Sequence, residues 1–238
     1  MTKPRRSAML LTFLALCGQA VGAAELQPFT AVYETSYGFM SARGERKVEA
    51  RPDGTWQVQS NARALGFDLN ESASFMLRNG HIHSLGYRFD NPFNKDRSQA
   101  LNFNWSNKTV TETLSGTEQK LLPGSYDKLS YQLQLQLNAC ANPDKYSGED
   151  FRVIDRKKTK TYRVEVVGRE TLKTQLGTLN TLKLRQFRPG KEEDRDTEIW
   201  LATDWSCLLV RLDQNDNGDT HTLKLVSAKI GGKDVTAK

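Results

Sequence analysis

Three stretches combine residue types and spacings that could do chemistry. His81-Ile82-His83 sets two imidazoles on one face of a strand, a spacing that can chelate a metal ion. No carboxylate lies within His81–Phe89, and the third histidine, His221, is distant in the chain. Alternation puts both rings opposite the apolar Ile82, so they read as solvent-facing side chains beside a hairpin. Asp213 to Asp219 resembles the first half of a calcium loop. The twelfth position of such a loop needs a bidentate Glu, and here it is Lys224. Asn217-Gly218 is sufficient reason for a hairpin turn at that place. The run Arg156 to Arg163 is the densest in positive charge and could meet a polyanion. Glu149, Asp150 and Asp155 dilute its field, which favours a solvated hairpin. There is no G-x-S-x-G nucleophile elbow and no Gly-rich phosphate loop between a strand and a helix. The chain therefore reads as a non-enzyme, with no metal and no cofactor expected.

The element around which the rest is organised is Ser125 to Ala141, SYDKLSYQLQLQLNACA. Leu129, Tyr131, Leu133, Leu135 and Leu137 alternate with polar residues, which is a strand signal. Composition points to a helix instead, because Leu and Gln are good helix formers and Val, Ile and Thr are absent. Ser125 or Asp127 can cap its start, and Asn142-Pro143 stops it. At helical spacing Tyr126, Leu129, Leu133, Leu137 and Cys140 share one face, with Tyr131 and Leu135 opposite. A helix apolar on two sides needs cover on both, which a curved sheet can supply.

The remainder reads as short strands punctuated by turns. Pro52-Asp53-Gly54, Asn79-Gly80 and Asn217-Gly218 are the clearest turn signals. Asn91-Pro92 breaks a strand, Gly168 is read as a turn, and residues 142–150 as a polar loop. Leu101, Phe103 and Trp105 show strict alternation, as do the residues from Phe29 onward. The expected fold is mainly β: a single-domain antiparallel meander forming a curved sheet, half-barrel or barrel around one central helix.

Lys3, Arg5 and Arg6 precede an apolar run from Ala8 to Cys17, followed by Val21-Gly22-Ala23. This pattern predicts a signal peptide over residues 1–23, cut after Ala23 or Ala24, and one β-rich periplasmic domain over 24–238. Removing residues 1–23 takes away three basic side chains and no acids, so the net charge falls from +6 to +3. That balance gives no reason to expect nucleic acid, and no later apolar run is long enough to cross a membrane. The mature chain is expected to be soluble. It keeps Cys140 and Cys207, and an even pair in an oxidising compartment suggests a disulfide, with two buried thiols as the alternative.

Four segments carry a resemblance over nearly the whole mature chain: FTAVYETSYGFMSARGE, SYDKLSYQLQL, YRVEVVGRETLKTQLGTLNTLKL and EIWLATD. They are similar to an exported Gram-negative family filed as a domain of unknown function (DUF3108-like). Its architecture is expected to resemble the half-barrel lipoprotein carriers, in which a curved antiparallel sheet encloses helical segments and an apolar hollow. The resemblance implies no catalytic residues. Asp127, Gly177, Trp200 and Asp204 match recurrent positions and read as helix cap, turn glycine, core aromatic and strand-end turn. The functional expectation is a non-catalytic periplasmic protein holding a lipid-like or other apolar ligand, with Trp105, Leu129 and Leu133 lining the groove. The alternative is an envelope interaction or assembly protein whose core is filled by side chains.

Overall fold

The computed structural model describes residues 25–37, 40–64, 67–191, 195–216 and 218–237. The expected signal peptide at 1–23 lies outside them. Before the helix come β1 (Phe29–Tyr37), β2 (Met40–Ala50), β3 (Trp56–Ala64), β4 (Phe67–Arg78), β5 (His81–Asp90), β6 (Gln99–Asn104), β7 (Thr109–Glu112), β8 (Thr117–Lys120) and β9 (Ser125–Tyr126). The helix α1 (Ser130–Ala141) is followed by β10 (Gly148–Asp155), β11 (Lys158–Thr174), β12 (Gly177–Phe187), β13 (Arg195–Ala202), β14 (Leu208–Asp216), β15 (Asp219–Ile230) and β16 (Lys233–Asp234).

All strands belong to one sheet. From one edge its order descends from β8 to β1, crosses to β15, then descends to β9, with β16 on β15. Nearly every neighbour pair is a sequential antiparallel hairpin; β9 on β10 is parallel. Turn chemistry sets these hairpins. Asn79 and Gly80 both take positive φ, 51° and 77°, as a tight two-residue turn requires. Register slips between Ser74 and Phe75, Val166 and Gly168, and Trp200 and Leu201 mark bulges, which raise local twist and let a wide sheet curl. The edge strand β8 comes within side-chain reach of the β10–β11 turn near the opposite edge, where Gln119 Nε2 donates to the Arg156 carbonyl at 2.9 Å.

The helix sits in the concavity and is covered on both sides, as its two apolar faces demand. Leu129, Leu133 and Leu137 join a core with Phe75, Ile82 and Phe103. Tyr131, Leu135 and Ala139 join a second with Phe151, Leu182, Leu184 and Leu201.

Several expectations need correction. The helix is shorter than predicted, because Ser125 and Tyr126 pair with Arg152 and Val153 as β9 and the turn follows them. Of the two proposed caps it is Asp127 that acts, accepting from the backbone N–H of Leu129 (2.9 Å) and Ser130 (2.8 Å). Gly168 is no turn. It lies within the 17-residue strand β11, at its bulge. The loop expected over 142–150 ends early, because β10 begins at Gly148. Cys140 packs with the second core rather than with Leu133 and Leu137, because it is bonded to Cys207.

The family-matching positions have the structural roles read from them. Gly177 takes φ 101°, and a Cβ there would lie 2.3 Å from Ala237 Cβ. Trp200 is buried, with Lys183 and Arg211 over its ring at 4.7 and 4.9 Å. Asp204 sits in the β13–β14 turn and accepts from Asn180 Nδ2 at 2.9 Å.

Candidate functional site

Side-chain bonds along the helix fix its pose inside the sheet. At its start, the fully buried Asp127 also accepts from Ser84 Oγ of β5 at 2.7 Å. Burial pushes the Asp127 carboxyl above its usual range, against the donors Ser130 and Ser84 and the backbone N–H groups. One turn on, Tyr131 OH donates to Gln186 Oε1 (2.9 Å), and Gln132 Oε1 accepts from Arg46 Nη1 (2.8 Å). Gln134 accepts from the Ile82 N–H (2.7 Å) and donates to the Gly80 carbonyl (3.0 Å). At the far end Gln136 donates to the Ser206 carbonyl at 2.8 Å, and the Cys140–Cys207 disulfide pins the last turn.

Between this helix and the concave sheet lies a cavity of about 750 Å³, within the ~300–1,000 Å³ usual for ligand sites. Strand direction orders its walls. The β10–β11, β12–β13 and β14–β15 connections all lie at one rim. Asp155, Arg188, Lys191, Gln214 and Asp216 line the cavity there. Deeper along β13 and β14 the lining turns apolar, with Ile199, Leu201, Leu209 and Leu212 facing Leu133 and Leu135 of the helix. The hollow is thus polar at its mouth and greasy towards its floor.

Charged groups gather where the helix begins. Asp155 binds Lys128 Nζ at 2.8 Å and also pairs with Lys160. Burial alone would raise the Asp155 carboxyl, but the two ammonium groups outweigh it and hold it below the usual range. Glu71 accepts from Tyr87 OH at 2.5 Å. Burial raises its carboxyl despite that bond and the nearby charges of Arg46 and Lys128. Arg46 donates to Ser60 Oγ (3.0 Å) as well as to Gln132, both neutral acceptors.

The residues expected to line a groove are split by the structure. Leu133 lines the cavity. Leu129 is buried in the first core, and Trp105 packs against that core, its ring 5.4 Å from His83 and its Nε1 donating to the Ser84 carbonyl at 2.7 Å. Neither is among the lining residues. His81 is exposed and Ile82 buried, as alternation requires, but His83 is half-buried rather than solvent-facing, because its ring packs edge-on against Trp105. Among the described residues, no three His, Cys, Asp or Glu side chains are arranged to hold a metal ion. Within the basic run, Lys160 pairs with Asp155 and Arg163 with Asp150 (2.8 Å).

Residues 32–226 match the family model described as a protein of unknown function, DUF3108. The chain belongs to the DUF3108 family. No curated protein matches its sequence. Among solved structures, the DUF3108 chain is similar to a β-barrel-like protein of another domain of unknown function, DUF1849, from Brucella abortus. That pair is 9% identical, with 86% of this chain and 98% of the other covered and a TM-score of 0.58. A likeness at that identity concerns the fold, and it agrees with the curved sheet described above. A second similarity is to the MucA/MucB complex of Pseudomonas aeruginosa. It has 10% identity, covers 90% of this chain and 55% of that chain, and has a TM-score of 0.39, too loose an overlap to argue from.

The polar cavity residues of this DUF3108 protein were missed in the sequence, yet they leave a signal. Arg46 shares strand phase with the buried Val48, and Glu71 with the buried Ala73 and Phe75. A charge in phase with the apolar set points inward. Such a side chain must face either a partner or a polar hollow.

Proposed function

We propose that this chain is a non-catalytic periplasmic protein that holds a lipid-like ligand in the hollow between α1 and the concave sheet. Residues 1–23 would be its signal peptide and residues 24–238 the working domain. One observation carries the reading: the cavity of about 750 Å³ is apolar along Leu133, Leu135, Ile199, Leu201, Leu209 and Leu212, and polar at its rim. An apolar wall beside an open hollow gains free energy by covering itself with a ligand's hydrocarbon. The charged groups of the hollow are engaged by one another or by neutral side chains: Lys128 and Lys160 by Asp155, Glu71 by Tyr87, and Arg46 by Ser60 and Gln132.

The test is uptake. Protein purified from the periplasm is examined by native mass spectrometry for co-purified lipid, and the delipidated protein is titrated with a fluorescent acyl probe. Saturable 1:1 uptake is expected, and Leu212→Trp, which places an indole in the hollow, should abolish it with the melting curve preserved. Absence of any uptake by the delipidated wild type would overturn the reading in favour of an envelope interaction protein.

A further inference from the structure

We propose that the ligand is an anionic amphiphile, bound tail-first with its carboxylate or phosphate head against Arg46, Lys128 and Lys160. This inference rests on the lipid-binding reading above and adds the class and orientation of the ligand.

Orientation follows from the polarity gradient of the cavity. In the β12–β13 ladder Phe187 pairs with Asp196 near the rim, and Thr181 with Ala202 at the opposite end. Thr197 therefore lies towards the mouth, Ile199 lower and Leu201 deepest, and all three line the cavity. On β14 the same descent runs from Asp216 and Gln214 through Leu212 to Leu209. A hydrocarbon tail is stabilised at the floor, and a charged head there would lose its hydration without a partner. The charged groups offered to a head lie at the rim and beside the first turn of the helix, where Lys128 meets Asp155 and Arg46 reaches Gln132.

Class follows from the sign of those groups. Lys128 and Lys160 share a single carboxylate, Asp155, so that cluster carries a surplus positive charge. Arg46 adds another, because its bonded acceptors, Ser60 Oγ and Gln132 Oε1, are neutral. Glu71, also on the lining, is engaged by the Tyr87 hydroxyl, and even counted as an anion beside Asp155 it leaves the three cations in surplus. A guanidinium and two ammonium groups in a part-buried hollow favour a counter-anion, and a carboxylate or phosphate head accepts several charge-assisted bonds at once. The rim adds Arg188 and Lys191 against Asp216. Residues 192–194, which follow, lie outside the described residues, and the three inward cations do not depend on them.

The experiment uses the exported protein, delipidated, and one sixteen-carbon tail with four heads: hexadecanoate, hexadecyl phosphate, hexadecanol and hexadecyltrimethylammonium. Each is titrated by calorimetry below its micellar concentration, at low and at high salt. The two anionic probes are expected to bind about tenfold or more tighter than the neutral and cationic ones. Salt should weaken the anionic probes selectively. Arg46→Gln and Lys160→Gln should each lower anionic affinity several-fold and leave hexadecanol unchanged, which controls for folding. A tighter grip on the carboxylate would point to free fatty acid, and on the phosphate to a phospholipid head; either supports the anionic class. Equal or tighter binding of hexadecanol or the ammonium probe would overturn the inference and leave the lipid-binding reading standing. Failure of all four probes to bind would overturn both.

Discussion

Removing the Asp127 carboxylate should cost more stability than any other single polar change near the helix. Its Oδ1 accepts from the backbone N–H groups of Leu129 and Ser130, and its Oδ2 from Ser84 Oγ. Asp127, Ser130 and Ser84 are all fully buried, so water cannot replace the lost acceptor. At about 1–3 kcal/mol for each buried group left unpaired, Asp127→Ala should lose about 3–5 kcal/mol, including the helix cap. Asp127→Asn keeps an oxygen for the two N–H groups and avoids a buried charge, so it should lose only about 1 kcal/mol. The pH dependence has a definite sign. Burial raises the folded carboxyl above its ordinary value of 3.8, so the folded state binds the proton more tightly than the unfolded chain. Wild-type stability from this group is therefore fully present below 3.8 and declines as pH rises through the folded value. Relative to Asp127→Asn, the wild type should gain stability as pH falls across that window. Urea denaturation of the three proteins at neutral and mildly acid pH measures this. An alanine variant within about 1 kcal/mol of wild type would refute the reasoning, because a buried acceptor serving three donors cannot be that cheap to remove. So would an asparagine variant as weak as the alanine.

Other outcomes follow from separate parts of the fold. The Cys140–Cys207 bond spans 67 residues, so its reduction should lower stability by about 4 kcal/mol, read from denaturation with and without dithiothreitol. Gly177→Ala should cost about 1–3 kcal/mol, since it needs φ 101° and meets Ala237 Cβ at 2.3 Å; hydrogen exchange should show residues 233–237 loosened. Gly54→Ala, at φ 79° with open space around it, is the control and should cost only about 1 kcal/mol. Trp200→Ala leaves Lys183 and Arg211 without the ring they cover and should lower stability by about 3–5 kcal/mol in the same denaturation assay.

What the residues determine by themselves is local and periodic. Alternation told inward from outward for Ile82 beside His81, though not that His83 would pack on Trp105. Asn79-Gly80 dictated a tight turn, because both positions need positive φ. The two apolar faces of α1 required cover on both sides, and the two cores deliver it. The family, too, was legible in short motifs whose residues turn out to be cap, turn and core positions. The tertiary structure decided what depends on long-range pairing. The five residues before α1 could have extended the helix, and their pairing with Arg152 and Val153 drew the first two into a strand. Gly168 looked like a turn because glycine frees the backbone, yet the long β11–β12 ladder absorbed it as a bulge. The cavity is the plainest case. Leu129 and Leu133 lie one helical turn apart and are equally buried in the first core, but of the two only Leu133 also borders the hollow. Which of two like leucines meets empty space depends on how far the sheet curls and where the helix is pinned. Those are set by bulges, by Gln136 on Ser206 and by the Cys140–Cys207 bond, which join residues distant in the chain.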